Sequence, residues 1–466
     1  MLFNSFDFAV FIPLTFAFYW MFFNKNIQLR NAFILIASYL FYGWWDARFL
    51  LLIAFSSIMD FLIGQSIFKS KSERKKQWLL YLSLLGNLGL LGFFKYFNFF
   101  AESFTDAFTF FGYNIETTHI NIILPVGISF YTFQTLSYTI DIYRGNIKPT
   151  KDLLAFSAFV SFFPQLVAGP IERASRLLPQ FHKKTAFNYL KAKEAILDIS
   201  WGIFKKIVIA DGLSTCVNSV YNNVDQYEGF PIIWATLFFA FQIYCDFSGY
   251  SSIAIGLAKL FGFELMQNFK RPYLAKSLPE FWSRWHISLS TWFKDYVYFP
   301  LGGNRVSKLK EKRNLLTTFI ISGFWHGANW TFIIWGGIHG IMNLISKKTI
   351  KIESLNVFNR FFTLVIVCLA WVFFRANNFF DAIYVLGNII PFSTSNLIGV
   401  STIAKSSFVF SILSIITLIS IEIIIEKRGD TNYPKSLITI IISIILISLI
   451  YMLGTFENQE FIYFQF

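Results

Sequence analysis

Long apolar runs separated by short polar segments dominate the sequence from its first residues to its last. A helix that crosses a membrane needs about 20 predominantly apolar residues, and runs of that order recur throughout the chain. They lie at 7–23, 31–45, 48–68, 78–98, 121–143, 195–220, 231–257, 358–374, 407–426 and 437–454, and a longer block at 315–345 has room for two short crossings. The pattern predicts an all-α polytopic membrane protein with about 10 to 12 transmembrane helices.

Two further apolar stretches, 153–169 and 281–301, are interrupted by proline or by charge. We expect re-entrant or interfacial helices there. Irregular backbone at membrane depth is tolerated only where protein or a cavity covers it, so both stretches indicate an internal cavity. As a single helix, the second stretch is amphipathic. Its polar face carries Arg284, Ser288, Thr291 and Asp295, and its aromatic face carries Trp282, Trp285, Leu289 and Trp292.

Composition and charge agree with a membrane protein. Hydrophobic residues make up 55% of the 466 residues and charged residues only 14%, whereas soluble domains are about 25% charged. The net charge of +13 is spread over loops, which argues against a nucleic-acid surface. The positive-inside rule assigns the basic loops to the cytoplasm and predicts that both termini lie outside it. These loops are 24–30, 69–77, 144–194, 257–313, 347–360 and 427–435.

The sequence has no internal repeat and no linker, so we predict one membrane domain over 1–466. Cys216, Cys245 and Cys368 lie in apolar stretches without a CxxC pair, which argues against disulfides. A zinc site needs three or four ligands, and no third ligand accompanies His286 and His326. We therefore predict no metal.

Three histidines lie in apolar surroundings, where an ionisable group usually marks function. His326 is surrounded by Trp325, Asn329 and Trp330, and no acidic residue occurs between Glu311 and Glu353. A neutral imidazole suits a general base at neutral pH. The structural alternative for each histidine is a hydrogen bond between helices. His286 and His339 are the other two.

Further polar residues interrupt the spans. Gln134, Tyr244 and Asp246 lie within apolar runs. Each one alone is explained by hydrogen bonding between helices, whereas together they indicate a polar cavity through the bundle. The alternative to an enzyme is a transporter or a lipid flippase, for which Asp246 and Asp141 would be coupling residues. Transport, however, leaves the histidine motifs unexplained.

Six stretches share more than hydrophobicity. They are LPVGISFYTFQTLSY, FPQLVAGPIER, YCDFSGYS, FWSRWHISLSTWFKDYVYFPLGGNR, FWHGANWTFIIWGGIHG and FIYFQF. Together they resemble the bacterial membrane-bound O-acyltransferase (MBOAT) family, most closely its alginate O-acetylation type, with teichoic acid D-alanyl transfer proteins more distant. The resemblance implies that His326 is the intramembrane catalytic histidine and His286 the second one. His339 lies outside that pattern and is expected to be structural.

The resemblance also implies a helical shell around a central funnel in a bacterial inner (cytoplasmic) membrane. An acyl thioester on the cytoplasmic side, acetyl-coenzyme A or an acyl carrier protein, would supply an acyl group to a polysaccharide hydroxyl outside. An extracytoplasmic SGNH-type partner is expected in such systems. No cofactor is expected to stay bound. Transfer of D-alanine from a carrier is the nearest alternative.

Acyl transfer needs a base and donors for the developing oxyanion. We expect His326 to be the base and His286 to assist. The candidates for substrate binding or the oxyanion are Asn329, Trp325, Arg284, Gln134, Tyr244 and Asp246. Arg173, Arg176 and Lys294 are candidates for docking the donor phosphates. The alternative explanation is that these cations only reflect the positive-inside orientation of the loops.

Overall fold

A computed structural model of the protein describes residues 1–113, 115, 119–167, 169–346, 356–390, 405–429, 436–456 and 461–464. The chain divides into two compact units. The first contains Met1–Ala195 and Ala254–Met266, and the second contains Ile196–Ile253 and Gln267–Phe466. The expectation of a single domain over 1–466 stays a prediction.

Most of the described residues are helical and none is in a strand, which confirms the all-α prediction. The first ten helices are α1 (Phe6–Phe18), α2 (Ile27–Asp46), α3 (Leu50–Lys69), α4 (Glu73–Leu91), α5 (Phe97–Phe110), α6 (Ile128–Tyr143), α7 (Leu153–Val160), α8 (Phe163–Leu166), α9 (Ala174–Leu177) and α10 (Tyr189–Ile203). The next ten are α11 (Asp211–Tyr221), α12 (Phe230–Leu260), α13 (Leu278–Arg284), α14 (Ile287–Phe293), α15 (Lys308–His326), α16 (Trp330–Ser346), α17 (Asn356–Arg375), α18 (Phe379–Gly387), α19 (Lys405–Arg428) and α20 (Ser436–Leu453).

Six helical stretches in these ranges are long and apolar enough to cross a membrane. One of them, Ile27–Lys69, has 43 residues, about twice the length of a single span. It contains a 3₁₀ turn at Ala47–Phe49, which separates α2 from α3 as the two apolar runs predict. The other five are Phe6–Phe23, Glu73–Phe110, Phe230–Leu260, Val357–Arg375 and Phe408–Arg428. The total of 10 to 12 crossings stays a prediction.

The predicted crossing at 121–143 begins too early in the sequence. Helix α6 starts only at Ile128, because Pro125 lacks an amide donor and Gly127 has a φ of 75°. A Cβ at Gly127 would also lie 2.5 Å from the carbonyl oxygen of Leu166. This glycine therefore both ends the extended segment and permits a close backbone contact within the first unit.

The block at 315–345 contains two helices, as predicted. Helices α15 and α16 pack against each other, and glycine makes the contact possible. A Cβ at Gly323 would lie 2.3 Å from the carbonyl oxygen of Phe332, and one at Gly336 would lie 2.3 Å from that of Phe319. Small residues at these two positions let the helix backbones approach closely.

The amphipathic helix predicted over 281–301 is wrong. The structure breaks it into α13 and α14 at His286, whose φ of 41° and ψ of 55° are left-handed. Arg284 and Ser288 therefore do not share a face of one helix. The break depends on a neighbouring segment, since the amide of Lys270 donates to the carbonyl of Arg284 at 2.8 Å and that of Ile287 donates to the carbonyl of Asn268 at 2.9 Å.

Candidate active site

His286 is held by Asn268 and, more weakly, by the Ser288 hydroxyl, which lies 3.4 Å from Nδ1. Its Nδ1 lies 3.1 Å from Asn268 Oδ1. The same oxygen accepts the amide N–H of Ser288 at 3.2 Å and its hydroxyl at 2.8 Å. Asn268 Nδ2 donates to Ser251 Oγ at 3.1 Å, so both ends of the amide have a defined orientation.

These contacts favour one of the two neutral tautomers of His286. The amide N–H of Ser288 can only donate, so the atom of Asn268 that faces it must be the oxygen. That oxygen can only accept, and it therefore favours the tautomer with the proton on His286 Nδ1. His286 Nε2 then carries the lone pair. It has no hydrogen-bonding partner among the residues that the structure describes.

His326 is the last residue of α15 and is buried. The next residue, Gly327, is extended, with φ of −164° and ψ of 156°, so the chain turns into α16 directly beside the imidazole. A Cβ at Gly327 would lie 2.1 Å from the ring of Phe332. The FWHGANW segment thus ends one helix and starts another with the histidine at the junction.

Both histidines contact one cluster of aromatic side chains, which we call the aromatic shell. Trp325 contacts both, with ring centroids 6.2 Å from His286 and 5.0 Å from His326. A second connection runs from His286 to Phe247 (4.6 Å), to Tyr463 (4.5 Å) and to His326 (5.6 Å). The shell consists of Phe247, Trp325, Trp335, Phe374 and Tyr463, of which Trp335 and Phe374 lie 5.1 and 5.4 Å from His326.

The third apolar histidine, His339, lies next to this shell. Trp335 contacts both His326 and His339, with ring centroids 5.1 and 4.9 Å away. Trp282 and Phe281 enclose His339 further, at 5.0 and 6.3 Å. Neither ring nitrogen of His339 has a hydrogen-bonding partner in the described ranges. Its structural role stays a prediction.

Tyr244 and Arg284 both contact carboxylates of α19. The Tyr244 hydroxyl donates to Glu422 Oε1. Arg284 Nη2 lies 2.9 Å from Glu426 Oε1 and 2.8 Å from Glu280 Oε1, and Arg271 Nε lies 2.6 Å from Glu426 Oε2. Arg284 is thus engaged in ion pairs immediately before the α13–α14 break.

Asp246 is buried in α12, where it contacts a cation and a backbone amide. Its Oδ1 lies 3.0 Å from Lys206 Nζ, and its Oδ2 accepts the amide N–H of Ile462 at 2.7 Å. Lys206 Nζ also lies 2.6 Å from Asp211 Oδ1. The proposed substrate-binding carboxylate is thus committed to partners within the protein.

Asn329 is half-buried, and both ends of its amide are used. Its Oδ1 accepts the amide N–H of Thr331 at 3.0 Å at the start of α16, and its Nδ2 donates to the carbonyl of Asn377 at 3.2 Å. Trp325, in contrast, is buried and contacts both histidines. The oxyanion roles of Asn329 and Trp325 stay predictions.

Three candidate residues belong to the first unit. Gln134 is buried, donates to the carbonyl of Phe159 at 2.9 Å and accepts from Gln165 at 2.7 Å. Arg173 is half-buried and Arg176 is exposed. The contacts of Gln134 are those of a helix-packing residue.

The buried neighbour of these arginines, Glu172, has a perturbed acidity. Its Oε1 accepts the amide N–H of Met266. Burial raises the pKa of Glu172 from 4.5 to about 7, against the hydrogen bond to Met266 and the charges of Arg176 and Arg173, which lower it. Glu172 lies in the loop between α8 and α9, outside the predicted spans.

Lys294 lies at the edge of a cleft of about 600 Å³ in the second unit. This volume falls within the range of small-molecule sites. Arg305 brings a second cation, and Tyr298 and Phe299 bring aromatic surface. The remaining lining residues are Gly302, Asn304 and Glu311.

Sequence reasoning missed Asn268 and Tyr463 as parts of the site. Asn268 lies in a loop, where an asparagine is unremarkable, and its partners are 18 and 20 residues away. Tyr463 belongs to the FIYFQF motif, which carried the resemblance but suggested no role for the tyrosine. Trp335 was likewise missed, because aromatic residues are common in this chain.

Comparison with known proteins identifies the family of the chain. The family model described as MBOAT, membrane-bound O-acyltransferase family, matches residues 147–380. A protein named probable alginate O-acetylase from Pseudomonas aeruginosa is 40% identical over 376 residues, which cover 79% of this chain and 71% of that protein. The chain belongs to the membrane-bound O-acyltransferase family.

Other members of this family act on different polymers. A peptidoglycan O-acetyltransferase of Helicobacter pylori is 34% identical over 437 residues, covering 86% of this chain and 82% of that protein. A teichoic acid D-alanyltransferase of Bacillus subtilis is 27% identical over 272 residues, covering 54% and 67%. This MBOAT protein is therefore a multi-pass membrane O-acyltransferase, as the resemblance predicted.

Proposed function

We propose that this acyltransferase moves an acetyl group from a cytoplasmic thioester to a hydroxyl of a cell-envelope or extracellular polysaccharide. The observation that carries the proposal is the pair of buried histidines that both contact Trp325. The relatives at 40% and 34% identity are named as acetylases of alginate and of peptidoglycan. Both polymers contain sugars, so a sugar hydroxyl is the proposed acceptor.

His326 is the proposed general base. It removes the proton of the acceptor hydroxyl while the hydroxyl oxygen attacks the carbonyl carbon of the thioester. The carbon–oxygen bond forms, the carbon–sulfur bond breaks, and the proton passes from His326 to the sulfur of the leaving thiol. An imidazole with a near-neutral pKa in solution suits both halves of this proton transfer.

His286 is proposed to orient the reacting group. Asn268 favours the proton on His286 Nδ1, which leaves the Nε2 lone pair to accept a hydrogen bond from a second hydroxyl of the acceptor sugar, next to the attacking one. A sugar that is fixed in this way loses less rotational freedom in the transition state. His286 thus acts beside His326 rather than in its place.

The oxyanion is proposed to form next to Trp335. Its indole is buried, its ring lies 5.1 Å from that of His326, and its Nε1 has no hydrogen-bonding partner in the described part of the chain. A donor in a site that excludes water stabilises developing charge more than it would in water. Asn329, in contrast, already uses its amide in contacts to the backbone.

The donor is proposed to dock in the cleft next to Lys294. Helix α14 starts directly after His286 and continues as a π-helix over Lys294–Tyr298. The cleft therefore lies on the order of 15 Å along one helical stretch from His286. An extended phosphopantetheine arm spans this kind of distance, and Lys294 and Arg305 would contact its phosphate. Coenzyme A and an acyl carrier protein both carry that arm.

The membrane orientation is part of the proposal. The basic loops face the cytoplasm of a bacterial inner membrane, both termini lie outside it, and the acetyl group reaches the polysaccharide directly or through an extracytoplasmic SGNH-type partner. Transfer of D-alanine is the second candidate, since the Bacillus subtilis relative is a teichoic acid D-alanyltransferase. The higher identity to O-acetylases favours acetyl.

The direct test is thioester consumption by the purified protein. The wild type and His326→Ala are incubated in detergent with radiolabelled acetyl-coenzyme A, and His182→Ala serves as a control because His182 is exposed. We expect consumption by the wild type and the control but less than a few per cent of it in His326→Ala. Equal consumption by all three proteins would contradict a histidine-dependent reaction. Acetyl and D-alanyl carrier proteins in parallel reactions decide between the two acyl groups.

A further inference from the structure

The FIYFQF motif is not explained by the proposed chemistry. In the structure, residues 461–464 lie in the second unit, and Phe461 and Ile462 are buried. Ile462–Phe464 forms one turn of 3₁₀-helix. A single turn has little stability of its own, so its position depends on contacts with the rest of the protein.

A carboxylate holds this turn by its backbone. Asp246 Oδ2 accepts the amide N–H of Ile462 at 2.7 Å, between residues that are 216 positions apart. A hydrogen bond to an ionised group is about twice as strong as one between neutral groups. The other oxygen of Asp246 faces Lys206, an ammonium that Asp246 shares with a second carboxylate, Asp211.

The anchored turn forms one side of the histidine site. Tyr463 contacts Phe247 at 4.5 Å and His326 at 5.6 Å. Phe461 stacks on Tyr463 at 5.5 Å, with 23° between their planes, and also contacts Tyr250 at 4.4 Å. Any shift of this turn would therefore change the packing around the His326 ring.

We propose that Asp246 is a positioning residue, which holds residues 461–463 in place so that Tyr463 fixes the His326 imidazole. Asp246 was a candidate for binding substrate, but its two oxygens face Lys206 and the Ile462 amide instead. The consequence for turnover rests on the proposed acyl transfer. The anchoring itself does not, and it has a readout of its own.

The test combines two variants that break the same bond from opposite sides. Asp246→Ala removes the acceptor. Ile462→Pro removes only the N–H donor, at the first residue of a helical turn, where proline is tolerated. The matched control is Asp211→Asn, which changes the other carboxylate next to Lys206 and leaves the Asp246–Ile462 hydrogen bond in place. Hydrogen–deuterium exchange of the peptide that contains Ile462 reports the anchor directly.

We expect both variants to lose protection of that peptide and to lower kcat by about 10-fold to 100-fold, the order expected for a misplaced catalytic group. The donor KM should change less than threefold. Since both variants remove one bond, the double variant should be no worse than the more severe single variant. The control should keep the protection.

Preserved protection in both Asp246→Ala and Ile462→Pro would overturn the anchor. Lost protection with wild-type kcat would overturn the positioning role. If Asp246→Ala fails to fold, Asp246→Asn, which keeps an oxygen acceptor, should fold with the peptide protected, and Ile462→Pro still carries the test. If the wild type transfers no acetyl group, the exchange measurement still shows whether Asp246 holds the turn. A failure of the proposed function can therefore be distinguished from a failure of the anchor.

Discussion

Asn268 Oδ1 lies 3.1 Å from His286 Nδ1 and accepts two further hydrogen bonds from Ser288. A single oxygen therefore favours one tautomer of the histidine, orients its ring and accepts hydrogen bonds from the first turn of α14. His286 itself has a left-handed backbone, a conformation that costs a residue with a Cβ about 1 to 3 kcal/mol. Asn268 is one of the groups that stabilise this conformation.

Replacement of Asn268 should separate these roles. In Asn268→Ala we expect kcat to fall by about 10-fold to 100-fold, because the His286 ring is no longer oriented. In Asn268→Asp the carboxylate still accepts the hydrogen bonds but also stabilises a protonated imidazole. The acid limb of the pH profile of kcat/KM should then move to higher pH.

The control for this pair is Asn343→Ala, since Asn343 is another buried asparagine of the second unit and donates to the backbone carbonyl of its own helix, at His339. An unshifted profile in Asn268→Asp, with the activity of Asn268→Ala close to that of the wild type, would exclude Asn268 from the mechanism.

A substitution at Trp335 can remove the proposed oxyanion donor, the indole N–H, and still keep an aromatic ring at this position. Trp335→Phe keeps an aromatic group next to His326 but deletes the indole N–H. We expect kcat to fall by about 100-fold, with little change in donor KM. Trp371→Phe is the control, because Trp371 is buried against Trp335 at 5.6 Å. Equal kcat for the two variants would count against an N–H at this position.

Helices α15 and α16 offer a matched pair of glycines for a test of packing. A Cβ at Gly336 would lie 2.3 Å from the carbonyl oxygen of Phe319, whereas one at Gly337 would meet no described atom within 4 Å. Gly336→Ala should therefore lower the thermal unfolding midpoint and the activity. Gly337→Ala should be neutral or stabilising, because alanine is better than glycine inside a helix by about 1 kcal/mol. Equal midpoints would contradict the close approach of α15 and α16.

The sequence predicts those features that depend on neighbours along the chain. Apolar runs indicate α2, α3 and the α15–α16 pair, because a membrane-spanning helix satisfies its own backbone polar groups. The polar neighbours of His326 can also be identified from the sequence, because they lie within four residues of it along the chain. The pattern of residues along the chain is therefore enough to single out Trp325 and His326.

Partners that are distant along the chain leave no comparable signal. The break at His286 depends on Asn268, the contact of Asp246 depends on Ile462, and Tyr244 is paired with Glu422 178 residues away. A periodic pattern contains no information on which of several buried polar residues will meet. Some of these residues could be singled out from the sequence, but their roles needed the fold.

The cleft next to Lys294 predicts how the enzyme recognises its donor. Charge reversal in Lys294→Glu or Arg305→Glu should raise the KM for acetyl-coenzyme A several-fold while kcat changes little, because the phosphates are remote from the reacting carbonyl. The effect should weaken as salt rises. Lys71→Glu, which adds the same charge change in an exposed position, is the control. An unchanged KM in both cleft variants would show that Lys294 and Arg305 do not bind the donor. Their positive charges would then be explained by the orientation of the loops in the membrane alone.

Glu172 predicts a dependence of stability on pH. Its pKa is about 7 in the folded protein and 4.5 ordinarily, so the folded state binds the proton more tightly than the unfolded state does. Its contribution to stability is therefore greatest below pH 4.5 and is lost as pH rises towards 7. Glu172→Gln keeps an oxygen for the Met266 amide and removes this loss. The unfolding midpoint of Glu172→Gln in detergent should exceed that of the wild type at pH 8, and the difference should shrink at pH 5. The control is Glu73→Gln, at an exposed carboxyl, whose unfolding midpoint should differ from that of the wild type by the same amount at both pH values. If the midpoint of Glu172→Gln also runs parallel to that of the wild type from pH 5 to pH 8, the raised pKa of Glu172 is contradicted.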